Sequence, residues 1–408
     1  MYFLLLAGLA AAAPSFHRPS NASVTNIQVG PRPFYLVDDM DPSPLKDELL
    51  ACKEKPIRHA PTFSISHRGG PLQFPEESHE GMLAGARMGA GIVECDVAFT
   101  KDRQLVCRHS QCDLHTTTNI LTIPELAAKC SVPFQPANAT HEATAKCCTS
   151  DITLAEFKTL CAKMDSSNAS ATTPADYQYD GPAWRTALYD TCATPVEHRE
   201  YIRLIDSLGL QLSPELKEPL VPMPFQGNYT LEMYAQQLID DYKHHGINPA
   251  RVWPQSFLPD AIFYWLQHEP AFGRQAIFLD ERVDTAQGYA DAVASMPELA
   301  RKGVRIMAPP YAALLNATDD GDLVPSLYAR AARAAGLDLI TWSLERSGPL
   351  KQAAARGDYY VKPIASAITK DGDMYRIVDA LARKVGVKAM FSDWPATVTY
   401  YANCVGLA

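Results

Sequence analysis

Short apolar or β-branched runs alternate with amphipathic helical patterns along most of this chain. The runs predict strands at 63–67, 91–99, 104–109, 210–216, 251–256, 275–280, 304–308, 337–344 and 388–393. Helical periodicity is plainest at Leu231, Tyr234, Ala235, Leu238, Ile239 and Tyr242, spaced i, i+3, i+4, i+7, i+8 and i+11, with Gly246 placed to stop that helix. A second helix is predicted over 326–336, with Leu327, Ala331, Ala334 and Ala335 on one face. Strand then helix, repeated about eight times, predicts a parallel sheet. Propensity does not separate a closed barrel from an open doubly wound sheet.

One interval breaks the regular spacing. Between His109 and Leu210 lie six of the ten cysteines, namely Cys112, Cys130, Cys147, Cys148, Cys161 and Cys192. The same interval holds a helix predicted over 153–164, opened by the capping box Thr153-x-x-Glu156. A cross-linked stretch of this length reads as an insertion over 110–209, projecting from the catalytic face as a lid or a wall of a substrate pocket.

The chain ends and the cysteines set the compartment. Residues 1–13 read MYFLLLAGLAAAA, too short to span a bilayer and closed by small residues, as a signal peptide is. An N-terminal extension follows over 14–60, and the main unit occupies 61–404. Asn-x-Ser/Thr sequons at Asn21, Asn138, Asn168, Asn228 and Asn316 predict N-glycans. An even number of cysteines with no CxxC pair reads as disulfides rather than zinc ligands. A secreted, extracellular protein with no transmembrane segment is expected. The formal net charge of −9 argues against a nucleic-acid partner, which demands clustered Lys and Arg.

Candidate chemistry sits near the predicted strand ends. Glu94 and Asp96 are two apart in a strand and share a face, with Cys95 opposite. Buried together they call for a counter-charge: a hard divalent cation, or alternatively an Arg or Lys. Glu215 and Lys217 again share a face, offering a third carboxylate and an ammonium. His67 and His109 each end a predicted strand, and imidazole suits proton transfer near neutral pH. Arg68 would point away from His67 in a straight strand, but Gly69-Gly70 lets the chain turn so that both reach one ligand. Two histidines, three carboxylates, an Arg and a Lys together describe phosphodiester chemistry. Because these residues lie on several strands near their C-terminal ends, the expected fold is a (β/α)8 (TIM) barrel, where such ends converge. No G-x-G-x-x-G follows a predicted strand, which disfavours the open sheet. A closed barrel makes the first and last strands neighbours, so Cys52 and Cys404 are expected to pair.

The run HRG…PEES…E-x-D…TKD…L-V-x-x-H, followed by P-E-L-K-E-P, resembles the glycerophosphodiester phosphodiesterase family, and its periplasmic-type subgroup in particular. The resemblance extends from Phe63 to about Tyr401 and includes TWSLE at 341–345 and FSDWP at 391–395. It implies a (β/α)8 barrel with one divalent cation, Ca2+ or Mg2+, held by Glu94, Asp96 and Glu215. It further implies an acid–base pair in His67 and His109, phosphate contacts from Arg68 and Lys217, and a role for Glu76 in supporting the metal and substrate hydroxyls. The implied activity is hydrolysis of glycerophosphodiesters such as glycerophosphocholine to glycerol 3-phosphate and an alcohol. Trp342 is a candidate pocket wall, or else a core aromatic. The chain departs from the family pattern at His109-Ser110, where the family has His-Asp, at Arg103 in the TKD turn, and at Pro75-Glu76-Glu77-Ser78, where it has P-E-N-T. Competing readings are a sphingomyelinase-type phospholipase D on the same barrel, a glycosidase, and a non-catalytic secreted binding protein.

Overall fold

The computed structural model describes Val24, residues 26–189 and residues 192–407. The expected signal segment at 1–13 and the sequon at Asn21 lie outside the described residues. Eight short strands run parallel: β1 (Ser64–Ser66), β2 (Ile92–Phe99), β4 (Gln211–Leu216), β5 (Gln255–Ser256), β6 (Ile277–Leu279), β7 (Ile306–Ala308), β8 (Asp338–Leu344) and β9 (Ala389–Ser392). Each pairs with its neighbour in that order, and β1 closes the ring on both sides, against β2 and against β9. The result is a closed (β/α)8 barrel.

The predicted strand at 104–109 does not join the ring. Its core, β3 (Leu105–Cys107), runs antiparallel to the far end of β2, with Val97 opposite Cys107 and Phe99 opposite Leu105. The TKD turn at 100–102 leaves too few residues for a helical crossover, so the chain folds straight back as a hairpin. Cys95, on the outer face of β2, is bonded there to Cys107.

Period-two alternation sorts the barrel strands. Ile65, Ile92, Ile277, Ile306, Ile340, Ala389 and Phe391 form the inner core, while the residues between them pack outward under the helices. The helix Leu231–His244 buries Tyr234, Ala235, Leu238, Ile239 and Tyr242, as its periodicity predicts. The helix Leu327–Ala334 turns a different face inward. It buries Tyr328, Ala329 and Ala332, whereas Leu327 is exposed. The tyrosine wins because its ring has far more apolar area to bury than alanine, while its hydroxyl reaches Asp280 Oδ2 at 2.8 Å.

The insertion has its own small core of Leu114, Ile120, Leu121, Ile152 and Phe157. Three disulfides, Cys112–Cys148, Cys130–Cys147 and Cys161–Cys192, lie wholly within it. The Thr153/Glu156 capping box forms, but the helix predicted over 153–164 stops after one turn, at Leu154–Phe157. Ala162 is drawn instead into bridges with Thr118 and Ala193, beside the Cys161 cross-link, so the backbone must extend there. The helix His198–Ser207 packs against β2, β3 and β4. Cys52 is bonded to Cys404, tying the segment after helix Pro44–Leu50 to helix Ala396–Val405.

Candidate active site

Inward parity at the C-terminal ends of the strands brings the chemistry together. His67 follows β1, and its backbone N–H donates to Ser392 O on β9 at 3.1 Å. Glu94 and Asp96 lie on β2, Glu215 and Lys217 on and just after β4, and Trp342 on β8. His67, Arg68, Glu94, His109, Glu215, Lys217 and Trp342 all line one cavity of about 480 Å³. Neither Asp96 nor Glu76 lines it. The Glu76 carboxylate faces the Arg68 guanidinium at 3.4 Å.

The turn after β1 is made by Arg68 itself, at φ +54°, together with Gly69 at +95°. Gly69 is required twice over: its φ is left-handed, and a Cβ would stand 2.6 Å from the Gly81 carbonyl carbon. The reversal aims the Arg68 backbone N–H at Glu94 Oε2, 2.9 Å away, and sets its guanidinium 3.5 Å from Asp96. Burial works against the charge on Arg68, yet Glu76, Asp96 and Asp393 hold its pKa above the ordinary value.

His67 is fixed by a residue that sequence reasoning did not single out. Asp393, at the end of β9, lies 2.5 Å from His67 Nδ1, which leaves Nε2 toward Ser343 Oγ at 3.3 Å. Burial alone would raise the Asp393 pKa, but Arg346, His67 and Arg185 outweigh it and hold the carboxyl well below the usual range. Arg346 Nη1 is 3.0 Å from Asp393 Oδ2, and Arg185 Nη2, from the insertion, is 3.6 Å away. Burial, with Arg68 beside it, lowers the His67 pKa to about 4 in spite of Asp393. His109 is also held well below its usual value, first by burial and then by Arg68 and Lys217. No hydrogen-bond partner meets the His109 ring among the described residues; Asp113 instead braces its turn by accepting the Ser110 N–H at 3.1 Å.

The carboxylates test whether a cation fits. Oxygens of Glu77, Glu94 and Asp96 lie within 4.8 Å of one another. All three residues are buried, and neither oxygen of Glu77 or of Asp96 meets a hydrogen-bond donor. Burial and neighbouring carboxylates push Glu77 and Glu94 well above the usual range, and Glu215 up to about 8 although Lys217 Nζ is 2.6 Å away. Buried carboxylates in this state call for a cation, and hard oxygen donors suit a divalent one. Gln255 of β5 orients Glu94 by donating to Oε1 at 2.7 Å. Gln255, Arg346 and Arg185 carried no motif-level signal, and Glu77 stood out only as a departure from P-E-N-T, with no role of its own. Asp393 sat within a resembling segment, FSDWP, that gave it no role.

The pocket wall is aromatic. Trp342 donates its indole N–H to Ala308 O at 2.7 Å and meets Phe257 and Tyr360 edge-on at 5.7 and 6.1 Å. The insertion packs against the neighbouring loops. Trp184 packs over Gly348 and beneath Arg356, its Nε1 donating to Arg346 O at 3.3 Å. Tyr189 stacks on Phe74 at 4.4 Å, on the loop that follows β1.

A model of the glycerophosphoryl diester phosphodiesterase family matches residues 67–397. An extracellular protein of Arthroderma benhamiae is 52% identical over 245 residues, 60% of this chain and 100% of that one. A glycerophosphodiester phosphodiesterase of Arabidopsis thaliana is 26% identical over 212 residues, 48% of this chain, which spans 53% of the plant protein. Solved structures of candidate glycerophosphoryl diester phosphodiesterases share the fold. One from Silicibacter pomeroyi has a TM-score of 0.52 at 17% identity, covering 84% of this chain and 92% of that one. One from Agrobacterium tumefaciens has a TM-score of 0.50 at 18% identity, covering 84% and 97%.

Proposed function

The chain belongs to the glycerophosphoryl diester phosphodiesterase family, and on that premise we propose that it hydrolyses glycerophosphodiesters such as glycerophosphocholine to glycerol 3-phosphate and an alcohol. The observation that carries this reading is the single cavity lined by His67, His109, Arg68, Lys217, Glu94 and Glu215, which joins two proton-transfer groups, two cations and the carboxylates of a metal site.

Glu94, Asp96 and Glu215 would hold a divalent cation, Ca2+ or Mg2+, which when bound offsets charge developing on the phosphate. Arg68 supplies a planar, bidentate donor to a phosphate oxygen and Lys217 a second positive charge. His67 acts as the base. Its Nδ1–H donates to Asp393, which leaves Nε2, beside Ser343 Oγ, unprotonated to take the proton of the attacking hydroxyl, and the carboxylate stabilises the imidazolium that results. His109 then protonates the departing alkoxide. The anionic substrate raises its pKa and so opposes the burial that favours the neutral imidazole. Glu76 acts through Arg68, holding the guanidinium in place. Trp342, Phe257 and Tyr360 form the apolar wall for the alcohol side of the substrate.

Extracellular location is part of the proposal. It draws on five disulfides with no free cysteine among the described residues and on the relative named an extracellular protein. Asn138, Asn228 and Asn316 are exposed and open to glycosylation.

The test is phosphodiester hydrolysis with glycerophosphocholine and, in parallel, sphingomyelin, each with and without EDTA and beside His67→Ala. Glycerophosphocholine turnover that stops with EDTA and in the variant is expected. Full activity after either treatment, or cleavage of sphingomyelin alone, defeats the reading.

A further inference from the structure

Resting on the cation site proposed above, we infer that Glu77 is a fourth carboxylate of that site and turns it toward Ca2+ in preference to Mg2+. Its oxygens stand with those of Glu94 and Asp96 inside a 4.8 Å cluster. The side chain is fully buried, and neither oxygen has a hydrogen-bond donor. The sulfurs of Cys95 and Cys107 lie within the same reach of Glu77, but they are bonded to each other and offer neither a thiolate ligand nor a donor. Arg108, the buried cation beside it, spends one terminal nitrogen on the backbone carbonyls of Glu76 and Glu77, at 3.3 and 3.1 Å, and so pins the turn rather than pairing with the carboxylate.

The backbone points the same way. Glu77 sits at φ +55°, its N–H donating to Arg68 O at 3.1 Å. Among residues with a side chain, Asn tolerates that conformation best, and Glu gains nothing local from it. Here the left-handed turn serves to aim a long carboxylate at the acidic cluster.

Coordination chemistry sets the preference. Ca2+ takes roughly six to eight oxygens and accepts bidentate carboxylates in flexible geometry, whereas Mg2+ demands a tight octahedron, keeps several waters and is held by one or two carboxylates. Four carboxylates, from Glu77, Glu94, Asp96 and Glu215, exceed the one or two that Mg2+ takes and suit the larger ion.

The experiment measures cation binding without turnover. The EDTA-stripped full chain, Glu77→Gln, Glu77→Asn and Asp96→Asn are each titrated calorimetrically with CaCl2 and with MgCl2, after thermal melts in EDTA establish that each is folded. Both Glu77 variants should bind Ca2+ about tenfold or more weakly and Mg2+ with a smaller loss, narrowing the ratio, while Asp96→Asn abolishes both. Gln keeps the side-chain volume and Asn suits the turn, so a folding defect in one leaves the other to decide. If both Glu77 variants keep the parent affinities while Asp96→Asn loses them, Glu77 is only a buried acid and the inference falls, with the cation site intact. If the parent binds neither ion, or Asp96→Asn binds like the parent, the cation site falls and the inference with it.

Discussion

His67 Nδ1 stands 2.5 Å from Asp393 Oδ1, across 326 residues of sequence, joining the first barrel strand to the last. This contact fixes which nitrogen carries the proton and which faces the cavity. Asp393→Asn keeps the shape but offers either an N–H or a neutral acceptor, so the imidazole loses its tautomer and its counter-charge. A fall in kcat of about 10²–10⁴ with KM nearly unchanged is expected. Steady-state kinetics on glycerophosphocholine check it, and an Asn variant at parent kcat would show that Asp393 does not act through His67.

Arg185 carries the insertion into the catalytic centre. Its side chain is one-tenth exposed, 3.6 Å from Asp393 and 3.9 Å from Asp165. Arg185→Gln leaves Asp393 with His67 and, among its arginine ion pairs, Arg346. Turnover should drop about tenfold, which corresponds to about 1.4 kcal/mol, and the acid limb of the pH–rate profile should move. A variant with the parent's kcat and profile would reduce the insertion to a wall.

Removing the cation should make stability fall with rising pH. Glu215 is raised from 4.5 to about 8 by burial first, then Asp96, and Asp113 is raised from 3.8 to about 7, also by burial. Between their unfolded and folded pKa values the native state holds more protons than the unfolded chain, so each contributes stability that is complete at low pH and lost as pH climbs. His67 and His115, both lowered from 6.5 to about 4, act in the opposite sense, but their window closes at 6.5. Melts in EDTA should therefore decline from pH 6.5 to 8. Saturating Ca2+ should flatten or reverse that slope, since the cation replaces the protons. A melting temperature in EDTA that rises over this window contradicts the buried-carboxylate account.

The Cys52–Cys404 bond spans a sequence separation of 352 residues. Cys404 lies near the end of helix Ala396–Val405, and neither it nor Cys52 lines the catalytic cavity. Replacing both cysteines by alanine should cost about 2–5 kcal/mol of stability through the freed unfolded chain while kcat stays at the parent value. Denaturant melts and kinetics together check this, and a loss of activity at full stability would place the bond in the site's machinery.

What the sequence by itself determined is local and periodic. The parity of a strand put Glu94 with Asp96 and Glu215 with Lys217 on one face, and strand–helix alternation with strand-end chemistry led to the barrel. Neither depends on distant contacts. Even the closing disulfide followed from ring closure alone. Tertiary structure decided the rest, because those choices are made by residues hundreds of positions apart. Asp393 and Gln255 acquire their partners only when the ring closes, at separations of 326 and 161 residues. β3 runs backward because its short turn leaves no room for a crossover. The insertion helix ends early because Ala162 has better partners across the fold. Glu77 turns inward because its backbone is left-handed, a choice that strand parity cannot express. Alternation specifies which face a side chain shares; closure of the barrel decides what it meets there.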